Sequence, residues 1–212
     1  MDTSHSRTAR APKDREATKR RLIAAVGRVL ARQGFRAVGV NTVAREAGVD
    51  KVLIYRYFDG LPGLVAAFSR EGDFWPDLAE LTGGDEPAFL ALPFAERVVV
   101  AARNYLRGIR SRPLTQEILA WRFIEHNELT EALDTARAEG GEGILELVAR
   151  GEVIPPVDLR VFYAVLGAAL NHLAVRERRE PTFAGLSLDD PASWDRLDAM
   201  IGRIIRGVLG QD

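Results

Sequence analysis

Residues 43–58 read VAREAGVDKVLIYRYF, and this stretch decides how the chain folds. Gly48 interrupts the helical pattern, because glycine adopts without strain the positive φ that ends a helix. Asp50 follows as a good N-cap, since its carboxylate accepts a hydrogen bond from a free amide of the next helix. Val49 is expected to plug the joint between the two helices. Two short helices joined by a short turn with glycine are typical of a helix-turn-helix.

The second helix of this motif has two faces. Ile54 and Phe58 lie four residues apart and share the face that packs inward. The other face is predicted to enter a DNA major groove, since it offers hydrogen-bond donors and an apolar contact for a thymine methyl. The candidate DNA-binding residues of this helix are Lys51, Val52, Leu53, Tyr55, Arg56 and Tyr57. The alternative is that its tyrosines are ordinary partly buried aromatics and its charges are solvated.

Charge is distributed unevenly along the chain. The net charge of −1 alone argues against binding to nucleic acid. Residues 1–58, however, hold 13 Lys and Arg against 5 Asp and Glu, a net of +8, whereas residues 59–212 carry −9. A basic first quarter on an acidic body is the electrostatic footprint of a phosphate-binding module.

The overall composition is that of an ordinary soluble globular protein, with 47% hydrophobic and 28% charged residues among 212. The sequence contains no cysteine, which excludes disulfides, thiol catalysis and cysteine zinc sites. No apolar run approaches the roughly 20 residues of a membrane span, and the N-terminus has no apolar signal core. We therefore expect a cytoplasmic protein that makes no membrane contact.

The region from Arg15 to Phe68 resembles the DNA-binding region of tetracycline-repressor-type (TetR) regulators. The matching elements are Gly34-Phe35, Val43-Ala44, Ala47-Gly48-Val49, Ile54-Tyr55, Tyr57-Phe58 and Leu64. As a set these elements are specific, although each one alone is weak. The resemblance implies a DNA-binding transcriptional regulator, with a repressor favoured, that a small-molecule ligand releases from a palindromic operator on double-stranded DNA.

Two positions depart from the family pattern. The family usually has Thr-Thr or Thr-Val where this chain has Gly39-Val40, so a phosphate-binding hydroxyl is missing. The family also has Ser-Lys-Glu after the final aromatic, where this chain has Gly60-Leu61-Pro62, so a lysine contact to phosphate is lost. Asn41 and Thr42 remain candidates for backbone contacts, because a helix N-terminus binds phosphate well.

We expect an all-α fold in two domains after a disordered basic arm. The predicted divisions are the arm at 1–14, the helix-turn-helix domain at 15–60 and a larger helical effector-binding and dimerisation domain at 61–212. Helix one is expected at 15–33 with an apolar stripe of Leu22, Val26, Val29 and Leu30, and helix two from Val40 or Asn41. Prolines and glycines predict a loop over 76–93. Further helices, with no strand, are predicted at 94–110, 113–127, 129–150, 157–179 and 193–209, the third having a kink or a break at residues 140–143.

The last two predicted helices are the most apolar, and they match what the family uses for a two-fold dimer interface. A homodimer also has a physical reason, since two recognition helices about 34–36 Å apart read a palindrome. The candidate interface residues are Val165, Leu166, Ala169, Leu173, Ile201, Ile204, Ile205 and Val208. The alternative is that these side chains form the core of a single chain.

The resemblance also implies that the larger domain binds a small-molecule effector, with the fourth helix transmitting the change to the DNA heads. Aromatic and polar residues in the middle of helices are the candidates for the pocket: Tyr105, Trp121, Phe123, Glu125, His126, Phe162 and Asn171. The alternative for each is an ordinary core or surface position. An apolar pocket with a few polar groups is the usual form of such a site.

Two other classes of function were compared with this interpretation. An all-helical enzyme has no support, because the chain carries neither a hydrolase nucleophile motif nor metal-ligand spacing, and its histidines are only His5, His126 and His172. We therefore expect no catalysis, no cofactor and no metal. A helical ligand-binding or protein-interaction module that has lost specific DNA binding is the remaining alternative, since two phosphate contacts of the family pattern are missing.

Overall fold

The computed structural model divides into two compact units, Met1–Gly72 and Asp73–Asp212. The structure describes residues 12–71, 73–122, 128–152 and 156–210.

The first unit is helical. Its helices are α1 (Pro12–Gln33), α2 (Val40–Ala47), α3 (Val52–Phe58) and α4 (Leu61–Glu71), with a 3-10 turn at Phe35–Ala37. Helix α1 begins at Pro12 rather than at the expected residue 15, because proline suits a first helical turn. Most of the predicted N-terminal arm, residues 1–11, lies outside the described residues.

Helix α1 is the support of the first unit, and both α2 and α4 pack against it. The predicted stripe is confirmed, since Leu22, Val26 and Val29 are fully buried and Leu30 is almost so. Phe35 is also buried, as expected for a residue that plugs a three-helix core. The helix-turn-helix of α2 and α3 is therefore supported by an apolar core.

Helix α4 groups with the first unit, whereas the sequence interpretation assigned it to the second domain. It packs against α1 and α3, and Leu64, Val65 and Phe68 are buried. The division by packing consequently falls after Gly72 instead of after residue 60.

The second unit has helices α5 (Leu78–Thr82), α6 (Glu86–Leu90), α7 (Phe94–Arg110), α8 (Pro113–Arg122), α9 (Glu128–Ala149), α10 (Leu159–Arg179) and α11 (Pro191–Leu209), and short strands β1 (Thr182–Phe183) and β2 (Leu186–Ser187). The expected bounds of α7 are confirmed. The predicted loop at 76–93 is wrong, since it contains two short helices whose first turns are capped by Asp77 and Asp85.

Two further details of the second unit differ from the sequence interpretation. An antiparallel hairpin joins α10 to α11, pairing Thr182 with Ser187 and Phe183 with Leu186. Ala184 and Gly185 both have positive φ, which suits a two-residue hairpin turn. Helix α9 runs without a break through the glycine-rich residues 140–143.

Helix α7 lies at the centre of the second unit, with α5, α8, α9, α10 and α11 packed around it. Val98, Val99 and Ile109 of α7 are almost completely buried. Within the described ranges, no helix is long and apolar enough to cross a membrane.

Candidate functional site

The turn between α2 and α3 has the geometry that its sequence predicts. Gly48 lies in the left-handed region at φ 63° and ψ 41°, and its amide donates to the carbonyls of Ala44 and Arg45. The Arg21 guanidinium of α1 donates to the Ala47 carbonyl at 2.7 Å and to the Gly48 carbonyl at 3.1 Å. This contact ties the end of α2 to α1 and satisfies carbonyls that the helix leaves free.

Helix α3 is held by one buried side chain and one carboxylate. The Asp50 carboxylate accepts a hydrogen bond from the Val52 amide at 2.9 Å, as expected for a cap. Ile54 is fully buried, whereas Phe58, which was expected to share its inward face, is only half-buried. The orientation of α3 therefore depends chiefly on Ile54.

The opposite face of α3 is open to solvent. Val52 and Tyr55 are each 59% exposed, and Lys51 and Arg56 are exposed beside them. The other two candidate residues, Leu53 and Tyr57, are half-buried, and the Arg15 guanidinium lies 5.5 Å from the centre of the Tyr57 ring. Val52 and Tyr55 therefore present apolar surface beside two exposed cations on this face.

The N-terminus of α2 lies in the same unit. Asn41 is exposed and Thr42 is half-buried in its first turn. Gly39 precedes the helix in extended backbone, and no side chain caps the helix there. The glycine that replaces the family threonine therefore leaves free amides at this helix end, and free amides bind phosphate.

A surface cleft of about 720 Å³ lies beside the exposed face of α3. This cleft was not predicted from the sequence. Four cations line it, namely Lys19 and Arg20 of α1, Arg56 of α3 and Arg70 of α4. Glu16 and Asp59 also line it, and Glu16 lies 3.2 Å from the Lys19 ammonium. The excess of lysine and arginine in residues 1–58 indicated such cations, but their convergence depends on the packing of three helices.

Gly63 sets the approach of α4 to α3. A Cβ on Gly63 would overlap the carbonyl oxygen of Phe58. Between the two helices, Asp59 and Gly60 both have positive φ. The run Gly60-Leu61-Pro62-Gly63 thus makes a tight corner that fixes where α3 ends.

Glu46 joins α2 to α1 on the outside of the unit. Its carboxylate accepts from Arg28 and Arg32, each at 2.6 Å. The hydrogen bond from Arg28, helped by both positive charges and opposed by desolvation, holds the pKa of Glu46 below its ordinary value. The pair is exposed, so it supports the packing of these helices only modestly.

The second unit contains a cavity of about 320 Å³. Its described lining residues come from α5, α7, α9 and α10, and are Leu81, Val98, Ala101, Ala102, Tyr105, Ala138, Gly141, Glu142, Ile144, Leu145, Val148, Tyr163, Leu166, Gly167 and Leu170. The space exists because several facing positions carry only alanine or glycine.

The predicted pocket residues are distributed differently. Tyr105 lines the cavity, and its hydroxyl donates at 2.7 Å to Asn171, which is buried behind the wall. Phe162 packs against the core without lining the cavity. Trp121 is half-buried and is likewise absent from the described lining, whereas Phe123, Glu125 and His126 lie outside the described residues.

The sequence interpretation missed Tyr163, Leu166, Gly167 and Leu170, which form the cavity wall on α10. Their spacing of three, one and three residues is that of one helix face, and this stripe was the signal available in the sequence. Burial raises the pKa of Tyr163 to about 12. No cluster of metal-binding side chains occurs in the part of the chain that the structure describes.

Comparison with known proteins identifies the first unit. The model of a family described as "Bacterial regulatory proteins, tetR family" matches residues 22–68, which run from α1 to α4. Residues 22–68 match the DNA-binding region of the TetR family. Members of this family are transcriptional regulators that bind DNA through a helix-turn-helix, as the geometry of α2 and α3 also indicates.

The chain has similar proteins over most of its length. The transcriptional regulator SrpR of Pseudomonas putida is 27% identical over 169 residues, which cover 74% of each chain. The structure of NalD from Pseudomonas aeruginosa, described as the secondary repressor of a multidrug efflux pump, aligns with a TM-score of 0.64 at 15% identity, over 94% of this chain and all of that one. Bacillus subtilis FadR in complex with stearoyl-CoA aligns with a TM-score of 0.62 at 15% identity, over 91% and 99%. These solved structures share the all-α fold.

The candidate interface residues on α10 and α11 fall into two groups. Val165, Ala169, Ile204 and Val208 are exposed. Leu173, Ile201 and Ile205 are buried in the core of their own chain, and Leu166 lines the cavity. For these last four residues the structure corrects the expectation, because α10 and α11 turn that side of each helix toward α7.

Proposed function

We propose that the protein is a homodimeric repressor that binds a palindromic operator through α3 and leaves it when a small molecule occupies the cavity of the second unit. The observation that carries this proposal is the exposed face of α3, where Val52 and Tyr55 stand free beside Lys51 and Arg56. The fully buried Ile54 holds this face outward.

The side chains on the exposed face of α3 read the base sequence of the operator. Arg56 and Lys51 donate to guanine edges, and Val52 contacts a thymine methyl. Tyr55 offers a hydroxyl to a base or a phosphate. Leu53 and Tyr57, which are half-buried, contribute at the border of the face.

Phosphate contacts position α3 in the groove. The uncapped N-terminus of α2, with Asn41 and Thr42, binds one strand of the backbone. Lys19, Arg20 and Arg70 around the cleft supply further cations, and they replace the lysine that the family pattern places after the final aromatic. We therefore assign this cleft to the DNA interface.

Dimerisation uses the exposed faces of α10 and α11. Val165 is 67% exposed and Ile204 is 51% exposed, with Val161, Met200 and Val208 extending the same two surfaces. Apolar side chains in rows on exposed helix faces are typical of a surface that another chain covers. A second copy of the chain supplies the second recognition helix that a palindrome requires.

Release requires a ligand that prefers one of two conformers. The cavity supports this part of the proposal, because it lies among α7, α9 and α10 and its volume falls in the range of small-molecule sites. The FadR structure in complex with stearoyl-CoA supports it by similarity of fold.

The test is selection of a DNA sequence from a random library, followed by fluorescence anisotropy on the selected duplex and a scrambled one. Arg56→Ala is expected to cost about 1–3 kcal/mol and to relax specificity at one base pair. Arg70→Ala is expected to weaken binding to both duplexes and to reduce the salt slope by about 1. Arg107→Ala, an equal change of charge at an exposed site in the other unit, is the matched control.

The outcomes separate the proposal from its alternative. Binding to a selected palindrome that Arg56→Ala weakens and Arg107→Ala does not would support it. If no sequence is enriched and binding to all duplexes remains weak at low salt, the chain is a helical module without specific DNA binding, and the proposal fails.

A further inference from the structure

We propose that the effector is an uncharged, largely apolar molecule with one oxygen that accepts a hydrogen bond from the Tyr163 hydroxyl. This inference rests on the proposed function only in taking the cavity of the second unit as the effector site. It concerns the chemical class of the ligand, which the lining residues determine.

The described lining carries no positive charge. Lysine, arginine and histidine are absent from the described lining residues, and besides the tyrosines the ionisable side chain there is Glu142, which is exposed. An anionic head group inside this cavity would lose its hydration without gaining a cation, and it would approach the Glu142 carboxylate. The described part of the lining therefore favours an uncharged group over carboxylates, phosphates and sulfates.

The size of the cavity limits the ligand. A volume of about 320 Å³ is at the lower end of the about 300–1,000 Å³ found for ligand sites. At about 30 Å³ for each water-sized group, it holds about ten such groups. A compact hydrocarbon with a decyl chain is consequently a suitable probe.

Two tyrosines supply the polar groups of the lining besides Glu142, and they differ in availability. The Tyr105 hydroxyl already donates to Asn171. No hydrogen bond among the described residues uses the Tyr163 hydroxyl, although this side chain is half-buried. The Tyr163 hydroxyl is protonated at the pH of the assay, as an ordinary tyrosine is, and burial raises its pKa further, to about 12. A neutral donor in an apolar wall fits an ether, a carbonyl or an alcohol oxygen.

The charge of the ligand is tested by displacement. The full-length protein is loaded with N-phenyl-1-naphthylamine, a neutral apolar dye, and titrated at pH 8 with decan-1-ol or with decanoate, which differ in the head group alone. We expect decan-1-ol to displace the dye with an affinity at least tenfold greater than that of decanoate. Equal or tighter binding of decanoate, or no displacement by either compound, would overturn the inference.

Two variants locate the binding. Tyr163→Phe removes one hydroxyl and is expected to weaken decan-1-ol about threefold to tenfold while leaving the dye unchanged, since the dye has no oxygen. Ser187→Ala, which removes an exposed hydroxyl of the same unit outside the described cavity lining, is the control and should change neither. Gly167→Leu fills the cavity from α10, where a Cβ meets nothing within 4 Å, and is expected to abolish binding of both compounds. If Gly167→Leu folds and still binds both, the compounds occupy another site and the inference is wrong.

This experiment fails separately from the proposed function. The displacement assay contains no DNA, so it measures ligand binding even if the selection enriches no operator sequence. Conversely, a protein that binds its selected operator and prefers decanoate would keep its function as a regulator and lose the proposed class of ligand.

Discussion

The two units of this protein build their sites in opposite ways. The first unit closes its core around Ile54 and Leu22, both fully buried, and carries its functional groups on the outside. The second unit leaves about 320 Å³ unfilled among its helices, and its functional surface is the inside of that space. A site on a surface needs rigid support, whereas a cavity needs small residues where helices face each other.

Two helical glycines show the same contrast. Gly63 has no room for a side chain, because the Phe58 carbonyl occupies that position. Gly167 has open space beside it and lines the cavity. One glycine permits close packing and the other preserves volume, so a methyl group should have opposite effects at the two positions.

The largest expected effect concerns the frame of the cavity. Arg97 is 5% exposed and donates to the carbonyls of Leu92 and Arg150 at 2.9 and 2.8 Å and to the Glu152 carboxylate at 2.7 Å. Arg97→Met leaves these acceptors without their donor, and we expect the second unit to lose about 3–5 kcal/mol of unfolding free energy.

Tryptophan fluorescence during urea unfolding measures this loss, because all three tryptophans of the chain, Trp75, Trp121 and Trp194, belong to the second unit. Arg107→Met, at an exposed site of the same helix, is the control and should change stability by no more than about 0.5 kcal/mol. A midpoint that is the same for both variants would contradict the role of Arg97.

The next effect concerns the outer faces of α10 and α11. Ile204→Asp places a charge on the proposed dimer surface without touching the core, since Ile204 is 51% exposed. An aspartate on that surface loses its hydration on association without gaining a partner, so we expect a cost of about 3 kcal/mol or more in association, which is over about 100-fold in the dimer Kd. Sedimentation velocity over a range of concentrations measures it, with Ile204→Val as the control. A dimer that persists at the same concentration would place the interface elsewhere.

The paired glycine substitutions sharpen the comparison most directly. Gly63→Ala should destabilise the first unit by about 2–3 kcal/mol, because the methyl group forces α4 away from α3, and operator binding should fall with it. Gly167→Ala should stabilise the second unit by about 0.5–1 kcal/mol, since alanine loses less backbone entropy in a helix. Far-UV circular dichroism measures the unfolding of both units, and tryptophan fluorescence measures the unfolding of the second unit. Effects of the same sign would show that the two glycines do not differ as the packing indicates.

The smallest effect is the acid dependence of the first unit. The pKa of Glu46 is lowered in the folded chain by Arg28 and Arg32, so its contribution to stability is present above the ordinary pKa and is lost as the pH falls through the lowered value. The difference in unfolding midpoint between the wild type and Glu46→Gln should be greatest at neutral pH and should disappear in acid. Because the pair is exposed, added salt should reduce this difference. A difference that is independent of pH would assign the effect to packing instead.

The helix-turn-helix could be predicted from local residues because its determinants are local. Gly48 ends α2 through its own φ, and Asp50 caps the next helix within two residues of itself. Ile54 lies on one face of helix α3, and Lys51 and Tyr55 lie on the other. The helical period therefore separates the buried face from the exposed one. Each of these features acts over a few residues, so one sequence contains all the information needed.

The cavity and the faces of α10 could not be predicted in the same way. Val165 and Leu166 are adjacent and similarly apolar, yet Val165 is 67% exposed and Leu166 lines the cavity. Periodicity identifies an apolar helix, but α10 is apolar around most of its circumference, so the pattern does not say which side meets α7. That choice depends on where α7 and α9 lie.

By itself, the amino-acid sequence determined a chain that is almost entirely helical, a basic first unit and a helix α3 with Lys51, Val52, Tyr55 and Arg56 on its outer face, because caps, helical period and net charge act locally or add along the chain. Only the tertiary structure decided that Arg70 joins the basic cleft beside α3, that Tyr163 faces the cavity and that Ile204 is exposed while Ile205 is buried. The physical reason is that these properties depend on the distances between helices. Packing against α1 in the first unit and against α7 in the second sets those distances.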